Sequence, residues 1–157
     1  MSKKAKLSAL ILVGLFLVML VALPISNFFL ARDLLPVTDG IAEFKPVSLI
    51  LQNKCADCHS PDMTVYPLYT KLPIASQLIA KDREEAQQNM LFNRERLSGK
   101  QPFSKLDLAR IQNVVENNEM PPVQYKLMHW NAGLTKADKE TIIEWLQAEA
   151  AQSKSSQ

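Results

Sequence analysis

Cys55-Ala56-Asp57-Cys58-His59 is the stretch on which the reading of this chain turns, and it holds both cysteines of the 157 residues. Cys-x-x-Cys-His is the attachment sequence of c-type haem. Two thiols one helical turn apart can form thioethers to the two vinyl groups on one porphyrin edge. The imidazole that follows then lies beneath the iron. The sequence therefore predicts one covalent haem c, attached through Cys55 and Cys58, with His59 as its proximal ligand. Three other readings compete. A zinc site would need two more good ligands, and His129 is the obvious donor left outside the motif. A thioredoxin-like dithiol would need a βαβ context, which the chain lacks. A structural disulfide would suit an exported protein, yet it leaves His59, the helix entering the motif and the later loop without a role.

Upstream, residues 7–31 contain no charged side chain and follow Lys3, Lys4 and Lys6. As a helix this run would rise roughly 37 Å, enough to cross a ~30 Å hydrocarbon core with tilt. A cleavable signal peptide has a shorter apolar part and ends in an A-x-A-like site. Here no clean small-x-small site follows the run before Pro24, so a retained signal anchor is expected. The lysines before it, against Arg32 balanced by Asp33 after it, place residues 1–6 in the cytoplasm as a basic stub. The remainder then lies outside the cytoplasmic (inner) membrane, facing the periplasm or the cell exterior. Lys3, Lys4, Lys6 and Arg32 take four of the 18 basic residues, leaving 14 against 16 acidic in residues 33–157. That slightly acidic balance lacks the basic footprint of a nucleic-acid binder.

The rest of the chain predicts an all-α domain of about four helices over residues 43–150. Residues 32–42, with Pro36 and Gly40, read as a linker lifting it off the bilayer. From Phe44, helical spacing runs through Val47, Ile50 and Leu51, with Pro46 in a first turn. Pro61, Pro67 and Pro73 make residues 60–73 an ordered loop without regular helix. Residues 74–92 resume the helical pattern until Ser98-Gly99 and Pro102. Ser104 with Asp107 forms an N-cap signature for a helix through Leu108, Ile111 and Val115, ended by Asn117-Asn118. A long loop begins at Met120-Pro121-Pro122. Thr135 with Asp138 repeats the cap before Ile142, Ile143, Trp145 and Leu146, and residues 151–157 read as a frayed, disordered tail.

The sixth iron position has several candidates: Met120, Met128, His129, Met63 and Met90. Met120 stands just past a helix, and two prolines after it stiffen the loop, which suits holding a thioether on a metal. Met90 falls in an amphipathic helical face and reads as core. Met63 lies too near His59 in sequence to reach the opposite porphyrin face easily. His129, in Tyr-Lys-Leu-Met-His-Trp, is the alternative ligand, or else a partner of a haem propionate or a surface residue. Tyr66 and Tyr69 could bond a propionate or serve loop packing alike.

Tyr66-Pro67-Leu68-Tyr69, Pro73-Ile74-Ala75-Ser76, Ala80-Lys81-Asp82, Glu119-Met120-Pro121-Pro122, Tyr125, His129 and the segment from Leu134-Thr135 to Trp145-Leu146 accompany the haem motif. Together they resemble the bacterial haem-binding domain family of small c-type cytochromes over roughly residues 42–148. The same module is similar to the N-terminal, membrane-anchored haem module of bacterial tri-haem cytochrome c peroxidases, which is held to pass electrons from quinol toward the peroxidase haems. The resemblance implies His59 and Met120 as axial ligands. Leu68 departs from the pattern, since many members carry Trp there. A single Cys-x-x-Cys-His also departs from the tri-haem proteins, which require two further haems.

The expected function is a membrane-anchored one-electron carrier between quinol-side donors and an extracytoplasmic acceptor. Two filled axial positions leave no place for a substrate, and His/Met ligation raises the potential above bis-His. Its partners would be the lipid bilayer and redox proteins, the latter through a basic docking patch matching the acidic surface. The alternatives are a haem peroxidase, with His129 or Glu119 as acid–base group, and a redox or ligand sensor in which a small molecule displaces Met120.

Overall fold

The long apolar segment and the domain behind it are joined more tightly than a linker would allow. A computed structural model describes residues 3–37 and 43–155. Thr38 to Ala42 of the expected linker, with Gly40 among them, lie outside the described residues, as do residues 1–2 and 156–157. Helix α1, Lys3–Phe28, is long and apolar enough to cross a membrane. It is apolar around its whole circumference, so it has no preferred buried face, and from Leu7 to Ile25 nearly all its large side chains are exposed.

The domain is built from four longer helices, as the periodicity predicts: α2 (Phe44–Lys54), α4 (Pro73–Asn89), α6 (Lys105–Glu116) and α8 (Lys136–Ser155). Between them sit three short helices, α3 (Ala56–His59), α5 (Arg94–Leu97) and α7 (Val123–Met128), and a 3-10 turn at Leu68–Lys71. α7 and the 3-10 turn lie in segments expected to be loop, where hydrophobic periodicity has too few residues to register. No strand occurs among the described residues.

Local chemistry sets the helix ends. Ser104 Oγ accepts from the Asp107 amide and the Asp107 carboxylate accepts from the Ser104 amide, a complete capping box opening α6. Thr135 and Asp138 form the same reciprocal pair before α8. Asn118, with φ of 58°, takes the left-handed conformation that stops α6 and turns the chain toward Met120. At the other end of the chain, α8 continues to Ser155, past the Ala150 at which a frayed tail was expected. Ala148, Ala150, Ala151 and Gln152 are strong helix formers and carry the helix on without a buried face.

The core lies where α2 and α6 pack on α8. Val47, Leu51, Leu97 and Ile142 are fully buried. Phe44, Phe92, Phe103 and Trp145 form an aromatic cluster with neighbouring ring centroids 5.3–6.2 Å apart, in edge or tilted geometry. A buried polar staple fixes the segment after α1. Gln52 Oε1 accepts from the Leu35 amide at 2.6 Å, and Gln52 Nε2 donates to the Leu35 carbonyl at 3.1 Å and to Ser48 Oγ at 3.0 Å. Leu35 itself enters the core. Residues 32–37 are thus docked on the domain, in place of the free linker expected there.

Candidate functional site

Where α2 ends, the backbone makes one more turn and delivers the motif to a cavity. The Cys58 and His59 amides both donate to the Cys55 carbonyl, at 3.3 and 3.1 Å, which stacks Cys58 one turn above Cys55. Both thiols are free and line an apolar cavity of about 290 Å³. Burial is the first cause that pushes the Cys55 thiol up to about 12 and the Cys58 thiol up to about 11, with their neighbours Cys58 and Asp57 adding to it.

His59 is held by its backbone neighbours. Its Nδ1 lies 2.9 Å from the Met90 carbonyl and 3.1 Å from that of Ala86, at the end of α4. A carbonyl only accepts, so Nδ1 carries the proton and the lone pair is on Nε2. This is the arrangement that orients an imidazole ligand. The Phe92 ring stands 5.4 Å from the imidazole, and the Phe92 amide donates to the His59 carbonyl. Gln87 and Arg83 on α4 donate to the Cys58 and Ser60 carbonyls. Few degrees of freedom remain to this wall.

The opposite end of the sequence contributes to the same space. Met120, Pro121 and Pro122 line the cavity with Ile111, Val114 and Val115 of α6, and the Met120–Pro121 peptide is cis. Met120 is 39% exposed, so it sits at the cavity mouth. Lys54 and Arg110 are the cations among the lining residues, and Arg110 donates to the Asn89 carbonyl at 2.7 Å.

The residue profile of the Haem-binding domain family matches residues 21–148. The chain belongs to the haem-binding domain family. The match begins inside α1, whereas the motif residues pointed to a start near residue 42. The chain is also similar to the cytochrome c peroxidase Ccp of Escherichia coli (strain K12), at 27% identity over 110 residues. That alignment covers 69% of this chain and 23% of the peroxidase, so the chain matches only about a quarter of that relative's length. No solved structure matches.

The haem-binding domain brings Cys55, Cys58, His59, Met120 and Met90 to one cavity and leaves the remaining candidates elsewhere. For Met90 the clearer part is the backbone carbonyl that holds His59. Met63 is buried in the core. Met128 is half-buried on α7, and Glu119 is exposed. His129 is buried but does not line the cavity. Its Nε2 lies 2.5 Å from the Tyr69 hydroxyl and its ring stacks on Tyr125 at 4.0 Å. Burial lowers its imidazole to about 4, an effect that Arg32 reinforces and Asp57 partly offsets. Tyr69 is thereby occupied by His129, and Arg83 lies over the Tyr66 ring at 4.6 Å.

Sequence reasoning missed the ion pair behind the motif. Asp57, the second variable position of Cys-x-x-Cys-His, is buried and accepts from both guanidinium nitrogens of Arg32 and from the Tyr125 hydroxyl. Burial opposes the charge on Arg32, but bonding to Asp57 outweighs it and raises the guanidinium pKa further. A carboxylate fixed inside the attachment motif needs a partner once buried. Both the burial of Asp57 and its partner follow from the fold and were not visible in the sequence.

Proposed function

We propose that the chain is a membrane-anchored mono-haem c-type cytochrome that carries single electrons between quinol-side donors and an extracytoplasmic acceptor. The observation that carries this reading is that His59 and Met120, far apart in sequence, line one apolar cavity beside two free thiols. The residues fit the group. Cys55 and Cys58 would bind it covalently as haem c, and His59 Nε2 and the Met120 sulfur would fill its axial positions. When bound, it supplies a one-electron iron couple.

The chain's own residues do the rest. The Met90 carbonyl holds the Nδ1 proton of His59 and so aims Nε2. The thioether of Met120 raises the potential relative to a second imidazole. Leu51, Ile111, Val115 and Ile142 exclude water, which limits reorganisation when the charge changes. Lys54 and Arg110, the lysine and arginine of the lining, would supply positive charge to the propionates. α1 would hold the domain in the cytoplasmic membrane, on its periplasmic or outer side, and concentrate it near membrane-bound redox partners.

The alternative, a haem peroxidase or a redox or ligand sensor with a displaceable sixth ligand, draws on the half-exposed Met120 and on the similarity to a peroxidase. Against peroxidase chemistry, His129 and Glu119 do not line the cavity where acid–base groups would act. Carbon monoxide and hydrogen peroxide separate the two. The reduced holoprotein is expected to leave its spectrum unchanged under carbon monoxide and to consume no peroxide catalytically. Rapid carbon monoxide binding with sustained peroxide turnover would establish the alternative.

A further inference from the structure

The bilayer that holds α1 would also touch the domain, and α7 is the element placed to touch it. Asn27, buried in the last turn of α1, donates its Nδ2 to the Met128 carbonyl at 2.8 Å. Arg32 is bonded to Asp57 and lies 3.4 Å from the Tyr125 hydroxyl. These contacts pin α7 to the end of the anchor. Along α1 the rise from Leu7 to Asn27 is about 30 Å, the thickness of a hydrocarbon core. A carbonyl of α7 therefore sits at the depth where the anchor leaves the acyl region.

The side chains there match that depth. Val123 and Leu127, one turn apart on α7, are each 66% exposed. Trp130 is 58% exposed, with its indole N–H donating to the Leu127 carbonyl. Phe28 and Phe29 are exposed where α1 ends. Aromatic rings with a polar edge and an apolar body favour the membrane–water boundary. Charge agrees. The domain as a whole is slightly acidic, yet residues 120–135 contain no Asp or Glu and carry Lys126, and Lys136 at the start of α8 pairs with Glu140. Residues 63–80, tied to α7 through Tyr69 and His129, are likewise free of acid and carry Lys71, while Lys81 pairs with Glu85.

We infer that the α7 face, with Val123, Leu127 and Trp130, lies in the headgroup boundary of the bilayer spanned by α1, so that the domain is docked on the membrane. This rests on α1 spanning the membrane. It holds the Met120 loop, immediately before α7, at the membrane surface. α7 itself is apolar with Lys126 and no acid, which suits acyl chains beneath anionic headgroups, while Asp33 and Asp138 stand beside the end of α1 on the water side.

The test is photocrosslinking of the full-length holoprotein in bacterial membranes, with p-benzoylphenylalanine in place of Leu127, of Leu106 on α6, or of Phe16 in the middle of α1. Leu106 is 60% exposed and serves as the surface reference. Intact-mass analysis should find phospholipid adducts at positions 127 and 16, and at least fivefold fewer at 106. Adducts at 16 with none above the 106 level at 127 would overturn docking while leaving the anchor intact. Protein adducts in place of lipid at 127 would also overturn it and make the face a protein dock. Absence of lipid adducts at 16 would remove the anchor, and the docking with it.

Discussion

The two sides of the cavity are fixed in different ways. On one side, His59 has its imidazole bonded to the end of α4, its carbonyl to Phe92 and its preceding turn to Cys55. Behind it, Asp57 is clamped by Arg32 and Tyr125. On the other side, Met120 stands 39% exposed on a loop, shaped by the left-handed Asn118 before it and two prolines after it. The first side is over-determined by hydrogen bonds, while the second rests on two prolines and two bonds before Met120, from the Glu119 amide to the Val114 carbonyl and from Lys139 to Asn118. A redox site built so would have a covalently fixed proximal side and a sixth ligand held in place by its loop.

The largest effect should come from breaking the determined side at its covalent bond. Cys58→Ser is expected to remove double thioether attachment, with loss of most haem staining on denaturing gels. Normal double attachment in that variant would contradict the assignment. Next is the clamp behind the motif. Arg32→Met keeps the apolar stem but strands the Asp57 carboxylate. The expected loss is about 3 kcal/mol in urea unfolding, near the lower end for a broken buried pair because Tyr125 still donates. Adding Asp57→Asn should recover most of it, and full additivity of the two losses would mean that the pair is not coupled.

A smaller effect bears on the region just past the Met120 loop. His129 has an ordinary value of 6.5 and is lowered by burial to about 4. The unfolded chain therefore takes up a proton first as pH falls. Stability should be unaffected by this group above pH 6.5 and should decline between about 6.5 and about 4, with no further loss below. His129→Gln should flatten that stretch of the profile. An unchanged slope would assign it to carboxylates. Smallest is Ser104→Ala, which removes the cap of α6 at the end away from Met120. It should cost about 1 kcal/mol by thermal unfolding and leave the haem spectrum unaltered.

Much of this organisation was legible because it rests on local chemistry. The haem motif, the two capping boxes and the four amphipathic helices each occupy a short window in which residue type dictates conformation. What the sequence hid was non-local. Arg32 reads as a charge at a membrane edge, and its bond to Asp57 depends on where the chain returns after residues 38–42. Tyr69 and His129 satisfy each other across 60 residues, so neither enters the cavity their chemistry suggested. The short helix α7 falls in a segment read as loop, since six residues give no periodicity to detect. Its acid-free composition was nonetheless plain in the sequence.

The central claim is that His59 and Met120 together fill the axial positions of one covalent haem, and near-infrared magnetic circular dichroism of the ferric holoprotein tests it most directly. The account predicts a low-spin histidine–methionine signature that disappears in Met120→Ala. A bis-histidine signature would move the sixth position to His129, and a high-spin signal would leave that position open. Either result would contradict the electron-carrier account.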